Sequence, residues 1–335
     1  AVWFPTIRAG SGTDVFTERL CAGLRARGIR AEITWLPLRA EYAPWTVPVP
    51  KPPDWANIVH VNTWFPVRFL PRSLPVIVTT HHNVHDPLLR PYLSLAQRLY
   101  HRLWIKVVEA TILNRATHVV AVSHFTAASI SKTFGIKCVQ VIHNGIGLHG
   151  PFQPKWNPSP HRPFRLIYLG NWSKRKGSDL LGRIMEELGN NFELRYTAGQ
   201  KGTAPQKLPS NCMSLEKLTS SEDMARALRQ SDAMLFPSRL EGFGLAPLEA
   251  MACGLPVIAT HSSALPEVVE HGVTGLLCPQ NDIRAFAEAA RTLARNTDLW
   301  NLMCRNARLR AERLFDLNRM IDRYVELYRI INRLL

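Results

Sequence analysis

Short apolar, β-rich runs alternate with amphipathic stretches along this chain, and that alternation predicts its architecture. In the front half, residues 1–4, 31–35, 58–62, 75–80, 118–122 and 138–142 read as strands. Residues 13–27, 91–116 and 124–134 read as helices. Strands separated by helices call for a parallel sheet covered on both faces. Residues 148–163 hold five prolines and read as a linker. A second series follows, with strands at 164–169, 192–197, 211–214, 232–236, 256–259 and 276–278. Helical patterns at 177–188, 221–229, 245–253, 265–270 and 282–294 lie between them, and the last forty residues are helical. The fold class is therefore α/β, with two doubly wound, Rossmann-like domains. One covers 1–150, a linker 151–163, the second 164–314, and a closing helix 315–335. Ligands of such sheets sit at strand carboxyl ends, so the ligand is expected in the interdomain cleft.

Composition narrows the class without changing the fold. At 335 residues, 46% hydrophobic and 20% charged, the chain is neither disordered nor fibrous. No apolar run approaches the about eighteen residues that span a bilayer, and no leader pattern opens the chain. Ala1-Val2-Trp3-Phe4-Pro5 reads as a strand already under way, so a few residues, an initiator Met among them, are expected to precede it. Six scattered cysteines without a Cys-x-x-Cys pair fit a reducing, cytoplasmic setting. The net charge of +15 is uneven: residues 1–150 carry sixteen Lys/Arg against seven Asp/Glu, and the rest carry 25 against 19. An anionic partner is expected on the front half.

The candidate chemistry is densest at 231–260. Ala233–Phe236 is a strand stopped by Pro237-Ser238, and Gly242 and Gly244 flank Phe243 in the turn that follows. A helix starting near Leu245 directs free N–H groups back at that turn, which makes an anion site. Glu241 in the turn and Glu249 in the helix frame it, eight positions apart. Anion-attracting N–H groups beside two acids suit a ligand with both phosphate and hydroxyls, such as a nucleotide-sugar. An ordinary strand–helix–strand unit explains the helix but leaves Glu241-Gly242-Phe243-Gly244 without a reason.

This segment resembles the donor-site signature of the retaining family 4 glycosyltransferases of the GT-B fold: Glu, seven residues, Glu, set in Pro-Ser…Glu-Gly-Phe-Gly…Glu-Ala-Met-Ala-x-Gly-x-Pro-Val. The resemblance implies that Glu249 bonds the ribose hydroxyls and that Glu241 meets the donor sugar. The N–H groups of Phe243, Gly244 and Leu245 would lie near sugar and phosphate. Asn171-Trp172-Ser173-Lys174-Arg175-Lys176-Gly177 looks like the family's Gly-Arg…Lys-Gly element, and Lys176 matches its lysine. The family arginine falls at Asn171, and Arg175 or Lys174 is left to supply the second charge. Gly10-Ser11-Gly12 resembles the glycine loop over the donor diphosphate, carried over here at Gly12; Val15 spoils a dinucleotide-binding reading. Thr79-Thr80-His81-His82 places His81 where the family has a histidine on the donor sugar. His143-Asn144-Gly145-Ile146 matches the turn out of the first domain, with Gly147 replacing an aspartate. His60 reads as structural. The adjacent histidines lack further residues at ligand spacing, so no divalent metal is expected. The implied activity is retaining, cofactor-free and metal-independent transfer from a UDP- or GDP-sugar to a glycan or glycolipid, in lipopolysaccharide or other envelope polysaccharide synthesis. The closing helix would pack back on the first domain.

Residues 91–116 raise a second question. Arg98, Arg102 and Lys106 are spaced by four and share a helical face, with Tyr92, Tyr100 and Trp104 on the neighbouring face. Such a helix either buries its aromatics and solvates its cations, or lies on an anionic membrane surface. The exposed-looking run Trp64–Leu70 and the charge of this half favour peripheral contact through residues 91–106. Two other functions share part of the pattern. A nucleotide-sugar epimerase or hydrolase uses the same fold, and a basic nucleic-acid-binding protein would share the charge. The scattered charge lacks an aromatic-interleaved patch, so no specific nucleic acid is expected.

Overall fold

The strands expected from the apolar runs all form, and every pairing between them is parallel, because helices or long connections carry the chain back across a sheet face each time. The computed structural model describes residues 1–197, 208–216 and 218–333. They divide into one unit of Ala1–Asn144 with Asn318–Leu335 and another of Gly145–Leu317. Leu334 and Leu335, at the end of the expected closing helix, lie outside the described residues.

In the first unit, β1 (Val2–Ile7), β2 (Ala31–Leu36), β3 (Ile58–Asn62), β4 (Val76–Thr80), β5 (His118–Ala121) and β6 (Gln140–Val141) lie in the order β2-β1-β3-β4-β5-β6. The chain leaves β1 to one side and returns on the other, so the carboxyl ends of β1 and β3 open a crevice at the switch point. Gly10-Ser11-Gly12 follows β1, Asn62 ends β3 and His81 follows β4. The core under this sheet includes Trp3, Val61, Val78 and Ile112, together with Phe65 and Phe69. That burial corrects the expectation that Trp64–Leu70 is exposed: Phe65, Phe69 and Leu70 pack inward, and Val67 and Arg68 face out. The closing helix, Leu317–Arg333, completes the unit from Asn318 onward. Its Tyr328 hydroxyl meets His60 Nδ1 at 2.7 Å, and its Tyr324 hydroxyl meets Thr79 Oγ1 at 3.1 Å.

The stretch 91–116 is not one regular helix. Pro91 sits in a 3-10 segment, Pro87–Tyr92, and the α-helix begins after Ser94. Ser94 Oγ accepts from Gln97 N and Gln97 Oε1 accepts from Ser94 N, a reciprocal cap. The helix covers Leu95–Tyr100, widens to a π turn over His101–Ile105 and resumes as α at Lys106–Arg115.

In the second unit, β7 (Phe164–Tyr168), β8 (Phe192–Tyr196), β9 (Cys212–Ser214), β10 (Ala233–Phe236), β11 (Val257–Thr260) and β12 (Gly275–Cys278) take the order β12-β11-β10-β7-β8-β9. Each residue of β10 is buried, as a central parallel strand requires. The switch point falls between β7 and β10, so the loops after these two strands, 169–177 and 237–244, flank one crevice. Residues 151–163 fold onto this unit instead of hanging between two others. Phe152 is buried, its carbonyl accepts from Arg308 Nη1 at 2.9 Å, and His161 Nδ1 meets the buried Asp232 at 2.7 Å. Proline there rules out sheet pairing but not packing.

Candidate active site

The loop after β10 brings Glu241 to the end of the helix Leu245–Ala252. Gly244 makes that turn with φ +109°, a left-handed conformation that a side chain would strain. Pro247 fits the first helical turn because its missing N–H would have had no intrahelical partner. The N–H groups of this turn therefore face the loop. Phe243 is buried edge-on to Phe315, with ring centres 5.6 Å apart, so only its backbone can serve a ligand. Glu249 is half-buried on the same helix, one turn further on.

The loop after β7 supplies the positive charge. Lys174–Lys176 form a 3-10 turn capped by Ser173, and Gly177 follows with φ +69°. A Cβ at Gly177 would stand 2.0 Å from the Pro237 carbonyl oxygen, so glycine is what lets the two loops touch. Lys176 Nζ then lies 2.6 Å from Glu241 Oε1, Ser238 Oγ donates to the same oxygen at 2.6 Å, and Arg175 Nη1 stands 3.8 Å away. Burial alone would raise the Glu241 carboxyl; the charges of Lys176 and Arg175 and the hydrogen bonds from Lys176 and Ser238 outweigh it and hold the group below its usual range. Burial pulls Lys176 down against the attraction of Glu241. At neutral pH Glu241 is therefore a carboxylate, and it accepts the hydrogen bond from Lys176 Nζ. Arg175, and not Lys174, is the second cation brought to this carboxylate; its Nη1 donates to the Leu240 carbonyl at 2.8 Å. Asn171, at the position of the family arginine, is exposed.

Two residues that sequence reasoning missed hold this arrangement. Arg239 is buried and forms a two-pronged pair with Asp179, at 2.7 and 2.9 Å, while its Nε donates to Asn281 at 2.7 Å and its Nη1 to the Lys174 carbonyl. It clamps the β10 loop onto the β7 loop. Ser263 takes φ +52°, unusual for a residue with a side chain, and its hydroxyl accepts the Glu241 N–H at 2.9 Å. An arginine in a glycine-bearing loop was the visible signal for the first. The second had none.

In the first unit, His81 is pulled down to about 4 by burial, so the imidazole is neutral at pH 7. Its Nε2 faces Asn62 Oδ1 at 3.0 Å, and because that oxygen only accepts, Nε2 carries the hydrogen and Nδ1 is the ring's acceptor. Phe16 packs edge-on against the ring. His81 lines a mainly apolar cavity of about 300 Å³ with Ser11, Asn62, Trp64, His82 and Val84. Gly12 opens the helix Gly12–Ala26 beside it. The N–H groups of Ala9 and Gly10 are turned onto Asp14 Oδ2, at 3.0 and 2.8 Å, so that carboxylate fixes the shape of the loop. His60 has both ring nitrogens bonded, to Tyr328 and Thr79, each at 2.7 Å, which is a structural role.

Residues 163–296 match the model of the Glycosyl transferases group 1 family, and residues 53–150 match that of Glycosyltransferase Family 4. The solved structure of HepE from Anabaena in complex with UDP-glucose superposes on 98% of this chain and 99% of its own, with a TM-score of 0.72 and 16% identity. These are glycosyltransferase domains in the GT-B fold. Among curated relatives, N-acetyl-alpha-D-glucosaminyl L-malate synthase from Bacillus anthracis is 38% identical over 107 residues, 32% of this chain and 28% of that protein. The amylovoran biosynthesis glycosyltransferase AmsK from Erwinia amylovora is 31% identical over 153 residues, 41% of this chain and 37% of that protein. The chain thus spans well under half the length of these two relatives. Within this fold the division of charge is informative. The second unit gathers two cations and a helix N-terminus at one crevice, whereas the first offers a neutral histidine in a mainly apolar cavity.

Proposed function

We propose that this glycosyltransferase moves a sugar from a nucleoside diphosphate, UDP or GDP, to a hydroxyl of a glycan or glycolipid, with retention at the anomeric carbon. The observation that carries the reading is the ionised Glu241, fixed by Lys176 and Ser238 at the mouth of a helix N-terminus. A diphosphate placed there meets N–H groups that have no intrahelical partner and the cations of Lys176 and Arg175. Glu249, one turn along the same helix, accepts from ribose hydroxyls, and Glu241 accepts from the donor sugar. As the bond from the anomeric carbon to the diphosphate breaks, its electron pair passes to the phosphate oxygen. Lys176, Arg175 and the helix dipole stabilise that charge, which is why we assign no divalent metal to the reaction. The acceptor hydroxyl attacks from the same face, and its proton passes to the departing phosphate oxygen. We assign the cavity of the first unit to the acceptor, next to a neutral His81 that can hydrogen-bond a sugar hydroxyl but adds no charge.

A UDP donor is supported by the HepE complex with UDP-glucose, and a polysaccharide role by the amylovoran relative. Calorimetric titration of UDP, GDP and their glucose, N-acetylglucosamine and mannose conjugates tests the donor. Glu249→Ala should weaken nucleotide binding about tenfold or more, the loss of a charge-assisted hydrogen bond of roughly 1.5–3 kcal/mol. Glu241→Gln should keep nucleotide affinity and lose transfer. Full activity of both variants would refute the assignment. Release of free sugar without acceptor, at the rate seen with acceptor, would replace transfer by hydrolysis.

A further inference from the structure

The broken helix of the first unit carries an apolar stripe that nothing in the proposed transfer uses. Leu95, Leu99, Leu103 and Val107 are 80%, 59%, 62% and 57% exposed. An α-helix with 3.6 residues per turn would let side chains spaced by four drift around the axis by roughly 40° per step. The π turn at His101–Ile105 is wider, with about 4.4 residues per turn, and rotates the stripe back. The four side chains therefore share one face, roughly 18 Å long at 1.5 Å per residue, with the drift confined to the Leu95–Leu99 step. Trp45, 66% exposed, packs edge-on against Trp104 and extends the apolar surface.

Each of the last three stripe positions is preceded by a cation, namely Arg98, Arg102 and Lys106. With Arg90 and the rings of His85 and His101 they line a cavity of about 680 Å³ alongside the stripe. Asp86 also borders it, but its carboxylate is bonded to Ser129 Oγ and to Leu88 N. Between Pro87 and Val108 the sequence holds four Lys/Arg and no Asp or Glu. Two of the aromatics expected on the neighbouring face are held there by Glu41. Trp104 Nε1 donates to the Glu41 carbonyl at 2.8 Å, and the Tyr100 hydroxyl donates to the Glu41 carboxylate at 3.3 Å. The stripe itself is aliphatic, Leu95, Leu99, Leu103 and Val107, with Trp45 at its margin.

We propose that this face docks on an anionic phospholipid bilayer, the stripe entering the acyl boundary and the cationic cavity receiving lipid phosphates. Among the described residues no helix is long and apolar enough to cross a membrane, so the contact is peripheral. A second copy of the chain would bring cations against cations, and a nucleic acid would leave the leucines in water. Glu41 lines the acceptor cavity and holds Tyr100 and Trp104, so docking sets that cavity at the bilayer. If the transfer reading holds, a lipid-borne acceptor follows; the docking itself does not rest on it.

The test is co-sedimentation of the full chain with vesicles of phosphatidylcholine alone and of phosphatidylcholine with phosphatidylglycerol. The protein should pellet with the mixed vesicles only, and less so in high salt. Arg98→Glu, Arg102→Glu and Lys106→Glu together should weaken partition about a hundredfold or more, at roughly fivefold per cation removed. Leu99→Ser with Leu103→Ser should abolish it at unchanged net charge. Both variants should keep the parent melting temperature and nucleotide affinity, which shows that they fold. Equal binding to neutral vesicles, or unchanged partition in either folded variant, overturns the proposal. So does concentration-dependent dimerisation that the serine variant removes.

Discussion

Replacing Glu241 by Gln removes one charge from a crowded, nearly buried cluster and leaves its shape intact. At 2.6 Å the Lys176–Glu241 attraction is about 6 kcal/mol gross for an effective dielectric constant of 20. Desolvation of both groups takes back much of that, and uncoupling a buried pair costs about 3–5 kcal/mol. The side chains keep 18% and 9% of their exposure, and Gln still accepts from Lys176 and Ser238, so a loss of about 2–3 kcal/mol is expected at pH 7. For a unit of this size that lowers the melting temperature by roughly 4–12 °C. The sign of the pH dependence follows from the lowered carboxyl. Its stabilisation is fully present above the unfolded value of 4.5 and is lost as pH falls through the folded value. The gap between parent and Glu241→Gln should therefore be constant from pH 8 to 5 and close below 4.5. Differential scanning calorimetry of the second-unit transition across that range measures it. A gap that persists undiminished at the lowest pH where the parent still folds, or no gap at pH 7, would refute the ion-pair account.

Other expectations are simpler to state. Gly177→Ala combines a positive φ with a 2.0 Å approach to the Pro237 carbonyl, and should cost well over ~1 kcal/mol while shifting Glu241 chemistry through the displaced loop; a melting curve matching the parent's would contradict it. Arg239→Met should lower nucleotide affinity and the second-unit melting temperature together, because Lys174–Lys176 loses its clamp; titration and calorimetry on one sample check the coupling. His81 and His60 are depressed by burial to about 4 and about 3 from 6.5. The unfolded chain therefore binds protons that the folded one does not. First-unit stability should fall as pH drops below 6.5, by about 1.4 kcal/mol per pH unit for each histidine until its folded value is reached. For the same reason His81 should give no inflection in the pH–rate profile between 5 and 8, and one that His81→Asn removes would overturn its neutral role.

The sheets were legible because buried parallel strands are short apolar runs, and every run led to a strand. The loop after β10 was legible because glycine, proline and two acids each have a local reason to be there. What escaped came from contacts distant in sequence. Arg239 and Asp179 are sixty positions apart, and Ser263 reaches Glu241 across β11, so no spacing rule brings them together. The helix after Ser94 was legible, but which of its faces turns outward was not. Its aromatic and leucine faces are both apolar, and Glu41, over fifty positions away, decides which of them is held against the unit by bonding Tyr100 and Trp104. The proline run at 151–163 misled because proline signals lost backbone pairing, which a segment packed through Phe152 and His161 does not need.

The first unit is discontinuous, and that fixes an order of events during synthesis. Gly145–Leu317 is one uninterrupted stretch that can close its own sheet as soon as it emerges. Residues 1–144, though made earlier, must wait for Asn318–Leu335, because Tyr324 and Tyr328 cap the buried Thr79 and His60. Until then His60 and Thr79 lack the hydroxyls of Tyr328 and Tyr324 that they meet in the folded unit. A premature stop between residues 317 and 324 would remove both tyrosines and thus damage the half of the protein that the ribosome finished first, and leave the later half whole.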